Sequence, residues 1–294
     1  METSGVRPLP RNRLLRGTYL MTRRYLNHGV SIQSAALAFY LLFTIFPLMI
    51  FFSALLGLLH LDVSGISTVV SAVLPSAVVK LLEMYLNYVS RNPSIRLMLF
   101  GLFFSIYFPM RAVNTLMRAV RTAYHLGPPR AAVRHMIKTL LYTVLLIVTI
   151  VLTLVTLMVS NLALHYATEH FSFPLELAVL WRQLRYPLVT VLMFFALYLL
   201  YALTQDSRQP WKNLWPGVMA SLLSWLLASW LFSFYVENIA AYSLLYGSIG
   251  TVIVLLVWLY LTACILIMGA ELNGTLISLR KEKDEEPERE RSER

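Results

Sequence analysis

Tyr246 to Leu276 reads YGSIGTVIVLLVWLYLTACILIMGAELNGTL. From Gly247 to Ala270 no residue carries a charge, and then Glu271 follows. About 20 apolar residues at ~1.5 Å rise each cross the ~30 Å hydrocarbon core of a bilayer, so this stretch predicts a transmembrane helix. A carboxylate at the end of such a run is costly unless it faces protein, water or the interface. The stretch therefore decides the class of the protein and marks one candidate site.

Composition agrees across the whole chain. Its 294 residues are 58% hydrophobic and 14% charged, with mean hydropathy +0.65. Soluble domains run near ~45–50% apolar and ~25% charged. The net charge of +10 could suggest nucleic acid, but the basic residues flank apolar runs, as topology signals do. Cys264 is the single cysteine, which excludes an intramolecular disulfide. The first thirty residues carry six arginines but no apolar core ending in a small-residue cleavage site, so no cleavable signal is expected.

Six spans are expected, at 33–59, 96–116, 137–164, 184–204, 214–236 and 248–276. Arginines and lysines concentrate before the first span, between the second and third, and after the sixth, while the fifth and sixth are joined by a segment whose only charge is Glu237. The positive-inside rule then places both termini in the cytoplasm. Residues 1–30 read as a basic cytoplasmic segment, 31–279 as the membrane domain, and 280–294 as a disordered tail of mixed charge. In the outer segments, Lys80, Glu83 and Asn87 share one face of 78–89, which predicts a short amphipathic helix on the membrane surface; 165–183 reads the same way.

The chain resembles the YihY/BrkB family of six-helix bacterial membrane proteins over roughly residues 20–280. The likeness rests on SAALAFYLLFTIFPL with Pro47, on RAVNTLMRAV with Asn114, and on RQPWKNLWPGVMAS leading to Gly217. In the sixth span, Tyr242, Tyr246-Gly247, Trp258 and Gly269-Ala270-Glu271 fall in pattern. The chain departs from the family at Gln205, where a proline often follows the tyrosine equivalent to Tyr201. The resemblance implies an inner-membrane protein linked to envelope integrity, serum resistance and lipid handling. Some members carry the old label ribonuclease BN.

The candidate substrate-contacting residues are Pro47, Asn114, Tyr201, Tyr260, Glu271 and Asn273. Pro47 removes a backbone donor in the first span, giving either a plain kink or a broken helix beside a cavity. Glu271 follows Tyr260, Cys264 and Ile267 at helical spacing and reads as a coupling carboxylate or as an interfacial ion pair with an Arg or Lys. Asn114 and Asn273 are expected at one membrane level, lining an inner vestibule or fastening the second and sixth spans. Ala220, Ser224 and Ala228, with Gly217, Gly247 and Gly269, read as small residues for close helix packing, within the chain or in a homo-oligomer. His165, Glu169 and His170 match neither zinc-binding spacing. No metal, no cofactor and no enzyme are expected. The arginines between the second and third spans suit anionic phospholipid heads, and no nucleic-acid partner is expected. The expected function is a transporter or lipid-handling factor in envelope maintenance, working from a cavity near Pro47, Asn114 and Glu271; a non-transporting scaffold is the alternative and a membrane ribonuclease the remote one.

Overall fold

A computed structural model describes residues 13–58, 94–129, 131–170, 175–204, 211–238 and 242–292. Helix is the one regular element among them: α1 (Arg13–Asn27), α2 (Val30–Leu58), α3 (Ile95–Ala123), α4 (Ala132–His170), α5 (Leu175–Thr204), α6 (Trp211–Asn238) and α7 (Tyr242–Ser292). Six are long and apolar enough to cross a membrane, with span windows 30–51, 95–123, 132–150, 187–204, 212–236 and 252–280. In hydrocarbon no water can satisfy a backbone amide, so each apolar run must close its own hydrogen bonds as a helix. Threonines follow the same rule: Thr143, Thr149 and Thr153 each donate to the carbonyl four residues earlier. The protein is an all-α, multi-pass membrane protein. Its outer surface is apolar, with Leu223, Trp230 and Ile249 more than half exposed.

Five of the expected spans lie within one helix each, the first (33–59) overlaps α2 up to Leu58, with residue 59 outside the described residues, and several helices run further. The α4 helix has 39 residues, about 58 Å at ~1.5 Å each. Its end takes up 165–170 and the start of α5 takes up 175–183, so those parts are two helix ends rather than a separate surface helix; residues 171–174, and the predicted 78–89 helix, lie outside the described residues. The α7 helix continues to Ser292, through the tail expected to be disordered. Lys, Arg and Glu are good helix formers and can pair at four-residue spacing, which composition alone does not reveal.

The N-terminal segment also differs from a simple basic stretch. There α1 turns Leu20, Met21, Arg24 and Tyr25 towards the bundle, with His28 just past its end, while Thr22, Arg23 and Leu26 are exposed. Gly29 ends it at φ 61, in the left-handed region that glycine adopts freely, and α2 begins at the next residue.

The core is built where α2, α3, α5, α6 and α7 meet, around Leu37, Met117, Val120, Tyr201, Val218 and Ile267. Glycines set the closest approaches. A Cβ on Gly101 of α3 would lie 2.9 Å from the Pro47 carbonyl oxygen of α2. A Cβ on Gly217 of α6 would collide with the Gly269 carbonyl of α7. The α6 contact with α7 thus runs through Gly217, Ser221 and Trp225, with Trp225 Nε1 donating to Thr262 Oγ1 at 3.3 Å. The expected stripe Ala220, Ser224 and Ala228 is off that seam, and Ser224 is exposed. The surroundings of Gly247 lie outside the described residues, the side chains of 242–248 among them.

Candidate functional site

Glu271 is 0% exposed. Its carboxylate meets two groups from the N-terminal segment. Arg24 Nη1 donates to Oε2 at 3.3 Å, and His28 Nδ1 lies 2.6 Å from Oε1. Arg24 also donates to the Ala123 carbonyl at 3.0 Å and to Ser278 Oγ at 3.1 Å, and its Nη2 lies 3.0 Å from His125 Nε2. The His28 and His125 rings meet edge to face at 5.6 Å. One guanidinium therefore joins α1, the end of α3 and α7.

Helix ends hold these groups in place. His28 follows the last residue of α1, and its amide donates to the Arg24 carbonyl at 2.9 Å. Its own carbonyl accepts from Gln33 Nε2 at 2.6 Å. At the end of α3, the His125 amide donates to the Thr122 carbonyl and the Leu126 amide to the Arg121 carbonyl, at 3.0 and 2.9 Å. This paired closure normally puts glycine in the left-handed position. Here His125 occupies it, at φ 53. A non-glycine residue there costs roughly 1 kcal/mol, and such strain gathers at working sites. Gly274 completes the fit: a Cβ would collide with the Ala123 carbonyl and approach Arg24 Nη1 to 2.9 Å.

The His125 pKa is lowered from the usual 6.5, first by burial and then by the charges of Arg24 and His28; Glu271 opposes this. A neutral ring can accept the Arg24 hydrogen at Nε2 while its proton sits on Nδ1. Among the described residues no three His, Cys, Asp or Glu side chains are arranged to hold a metal ion. In the Glu271 cluster the guanidinium occupies the cationic position. The side chains of His165, Glu169 and His170 lie outside the described residues.

The other predicted site residues do not converge on Glu271. Pro47 is buried in the α2–α3 contact, beside Gly101. Asn114 Oδ1 bonds His135 Nε2 of α4 at 2.9 Å, so it ties α3 to α4 rather than to α7. Tyr260 OH shares a 3.0 Å hydrogen bond with Ser31 of α2. Asn273 and Tyr201 belong to a second polar group, between α5, α6 and α7. Asn273 Oδ1 accepts from the Gly217 amide at 2.7 Å, and its Nδ2 donates to the Leu214 carbonyl and Tyr124 OH at 2.8 and 3.0 Å. Tyr201 OH donates to the Leu266 carbonyl at 2.7 Å and meets Ser221 Oγ at 3.0 Å. The expected cavity joining Pro47, Asn114 and Glu271 is thus replaced by three separate contacts. Sequence reasoning missed Arg24, His28 and His125. The two-sided pattern of Leu20, Met21, Arg24, Tyr25 and His28, ended by Gly29, is the signal that would have found the first two.

Comparisons with known proteins agree with the fold. No solved structure matches the chain. The ribonuclease-like protein YfkH of Bacillus subtilis is 28% identical over 267 residues, covering 90% of this chain and 96% of that protein. The UPF0761 membrane protein YihY of Escherichia coli O1:K1 is 31% identical over 104 residues, 33% of this chain and 36% of that protein. A UPF0761 membrane protein of Klebsiella pneumoniae (strain 342) is 34% identical over 98 residues, 33% of this chain and 34% of that protein. The chain thus spans about a third of these last two relatives and nearly all of the first. The profile of the virulence factor BrkB family matches residues 21–294. With helices and residue pattern in accord over that length, the chain belongs to the virulence factor BrkB family.

Proposed function

We propose that the protein is a non-enzymatic transporter or lipid-handling factor of the bacterial inner membrane, with Glu271 as its proton-responsive centre. One observation carries this: a wholly buried carboxylate, within an apolar span, is held by an arginine of α1 and by the histidine just past the end of that helix. Ionisable groups inside spans are expensive and usually mark pathways or coupling sites. Protonating Glu271 would leave Arg24 without its counter-charge and weaken the hold on α1. Proton uptake would then be linked to release of α1 from the ends of α3 and α7, and α1 would move as a latch at the mouth of the bundle.

In this reading α1 lies at the cytoplasmic face and both termini are cytoplasmic. Arg24, Arg121, Lys212 and Arg280 lie at or near the bundle end that carries α1, which is the distribution the positive-inside rule favours. Membrane lipids are the partners, and the reading needs no cofactor, metal or nucleic acid. The exposed side of α6, with Ser224, is where a second copy would pack.

The test is movement of fluorescent phospholipid between leaflets of proteovesicles carrying an imposed pH gradient. Wild type should move lipid with a rate that follows the gradient. Glu271→Gln, checked for intact folding, should lose the gradient dependence. Equal gradient dependence in both proteins would sink the role of Glu271, and no lipid movement by wild type would sink the function.

A further inference from the structure

Arg111 is exposed although it lies far inside α3. At ~1.5 Å per residue it is about 18 Å from the Ala123 end and about 24 Å from the Ile95 end. Its Cα–Cβ bond tilts towards the helix N-terminus, away from the nearer end. The guanidinium accordingly reaches Tyr40 of α2, with Nη2 donating to the hydroxyl at 3.3 Å and the Cζ atom 5.5 Å from the ring centroid. Both contacts orient the charge and neither neutralises it. A cation at this depth calls for an anion.

A second copy of the chain is a poor source of that anion. Of the fifteen Asp and Glu residues, Glu271 alone falls within the spans, and it is buried against Arg24 and His28. The anion must therefore come from the lipid phase. Beside Arg111 runs an exposed aromatic lane. Phe103 stacks on Tyr107 at 6.2 Å, and Phe43 of α2 meets Phe108 of α3 at 5.9 Å. Phe43, Phe103 and Tyr107 are each more than a third exposed. A charged head beside an apolar lane has the form of an anionic amphiphile.

We propose that Arg111 and Tyr40 bind the phosphate of an anionic phospholipid at the α2–α3 face, with an acyl chain along Phe43, Phe103 and Tyr107. The fork of the guanidinium suits two phosphate oxygens, and Tyr40 holds it turned outward. The site rests on the lipid-handling reading above and names its substrate class.

The experiment places the full-length protein in nanodiscs of mixed phosphatidylcholine and phosphatidylglycerol and counts retained lipids by native mass spectrometry. Wild type should retain phosphatidylglycerol selectively. Arg111→Gln should lower that retention about tenfold, the loss of one charge-assisted contact pair. Arg118→Gln, exposed nearer the helix end, should leave it within about twofold, since exposed charges interact weakly. Unchanged retention in Arg111→Gln overturns the site. So does a wild-type oligomer that falls to monomer in Arg111→Gln, since a second copy would then cover this face. Should Arg111→Gln fail to fold, Tyr40→Phe keeps the charge and should still weaken retention measurably; no change there overturns the site as well. Wild type that moves lipid in vesicles while Arg111→Gln matches it in every assay leaves the proposed function standing without this site. Wild type that neither retains nor moves lipid removes both.

Discussion

Glu271 and Asn273 stand two residues apart on α7 and face nearly opposite sides of it, since two residues turn a helix by about 200°. Asn273 looks towards α6, where one neutral amide satisfies a backbone N–H, a carbonyl and a hydroxyl. Glu271 looks towards α1 and α2, where it meets a guanidinium and an imidazole. The Asn273 side is fixed chemistry: amide and hydroxyls keep their protons throughout the physiological range, and glycine contacts leave no room for movement. The Glu271 side is ionic chemistry, in which a buried carboxylate meets a guanidinium brought from another helix. One helix thus carries an assembly seam on one face and a candidate switch on the other.

Overfilling the seam should have the largest effect. Gly217→Ala drives a Cβ into the Gly269 carbonyl, which is backbone and cannot swing aside. Overpacking typically costs about 1–3 kcal/mol and occasionally more; here little or no folded protein should survive in fluorescence-detected size exclusion. A wild-type elution profile would show that α6 and α7 do not meet so closely. Breaking the switch comes next. Glu271→Ala leaves Arg24 buried beside a vacancy, and removing one partner of a buried ion pair costs about 3–5 kcal/mol. Arg24→Ala with Glu271→Ala should recover part of that loss in thermal unfolding, because no unpaired charge remains. If the double variant is no better than the sum of the singles, the two residues are not coupled as the geometry implies.

The six spans are legible in the sequence because hydrocarbon imposes a length and a polarity that few other environments demand. Glu271 is legible for the same reason, as a lone carboxylate closing an uncharged run. Its partners are not. Arg24 lies in a fifteen-residue helix rich in arginine and His28 just after its end, a segment that looks like a topology signal until its two faces are separated. His125 is harder still. It sits where a helix normally ends in glycine, and nothing in YHLGP betrays that the histidine rather than Gly127 takes the left-handed position. Asn114 and Asn273 part company because each faces a different neighbour, His135 of α4 for the first and the Gly217 amide of α6 for the second, and a shared level in the sequence does not say which neighbour a face meets. The small-residue stripe of α6 is not the seam with α7: Gly217 and Ser221 lie on the face beside it, and a missing Cβ outweighs a small one.

Asn273→Ala should have an intermediate effect. It orphans the Gly217 amide in a buried seam, and leaving a buried group unsatisfied costs about 1–3 kcal/mol. The midpoint of thermal unfolding in detergent should fall, while pH dependence should stay that of wild type. That second reading sharpens the comparison, because a seam variant that altered pH dependence would mean the two faces of α7 are not independent. Asn114→Ala, which loses one bond to His135 at the α3–α4 contact, should cost less, about 0.6 kcal/mol as for typical interhelical bonds in membranes.

The smallest effect should come from His125, whose ring is only partly buried. Its folded pKa lies below the usual 6.5, so the unfolded chain binds the proton more readily than the folded one. Stability supplied by the neutral ring is therefore complete above about pH 6.5 and is lost as pH falls through the lowered folded value. Protonation adds a second positive charge next to Arg24 and removes the lone pair that Nε2 offers it. The unfolding temperature of wild type should thus decline below about pH 6.5. His125→Gln keeps a polar side chain without a titrating ring, and its decline over the same window should be shallower. An identical slope would show that the acid sensitivity does not come from the His125 ring.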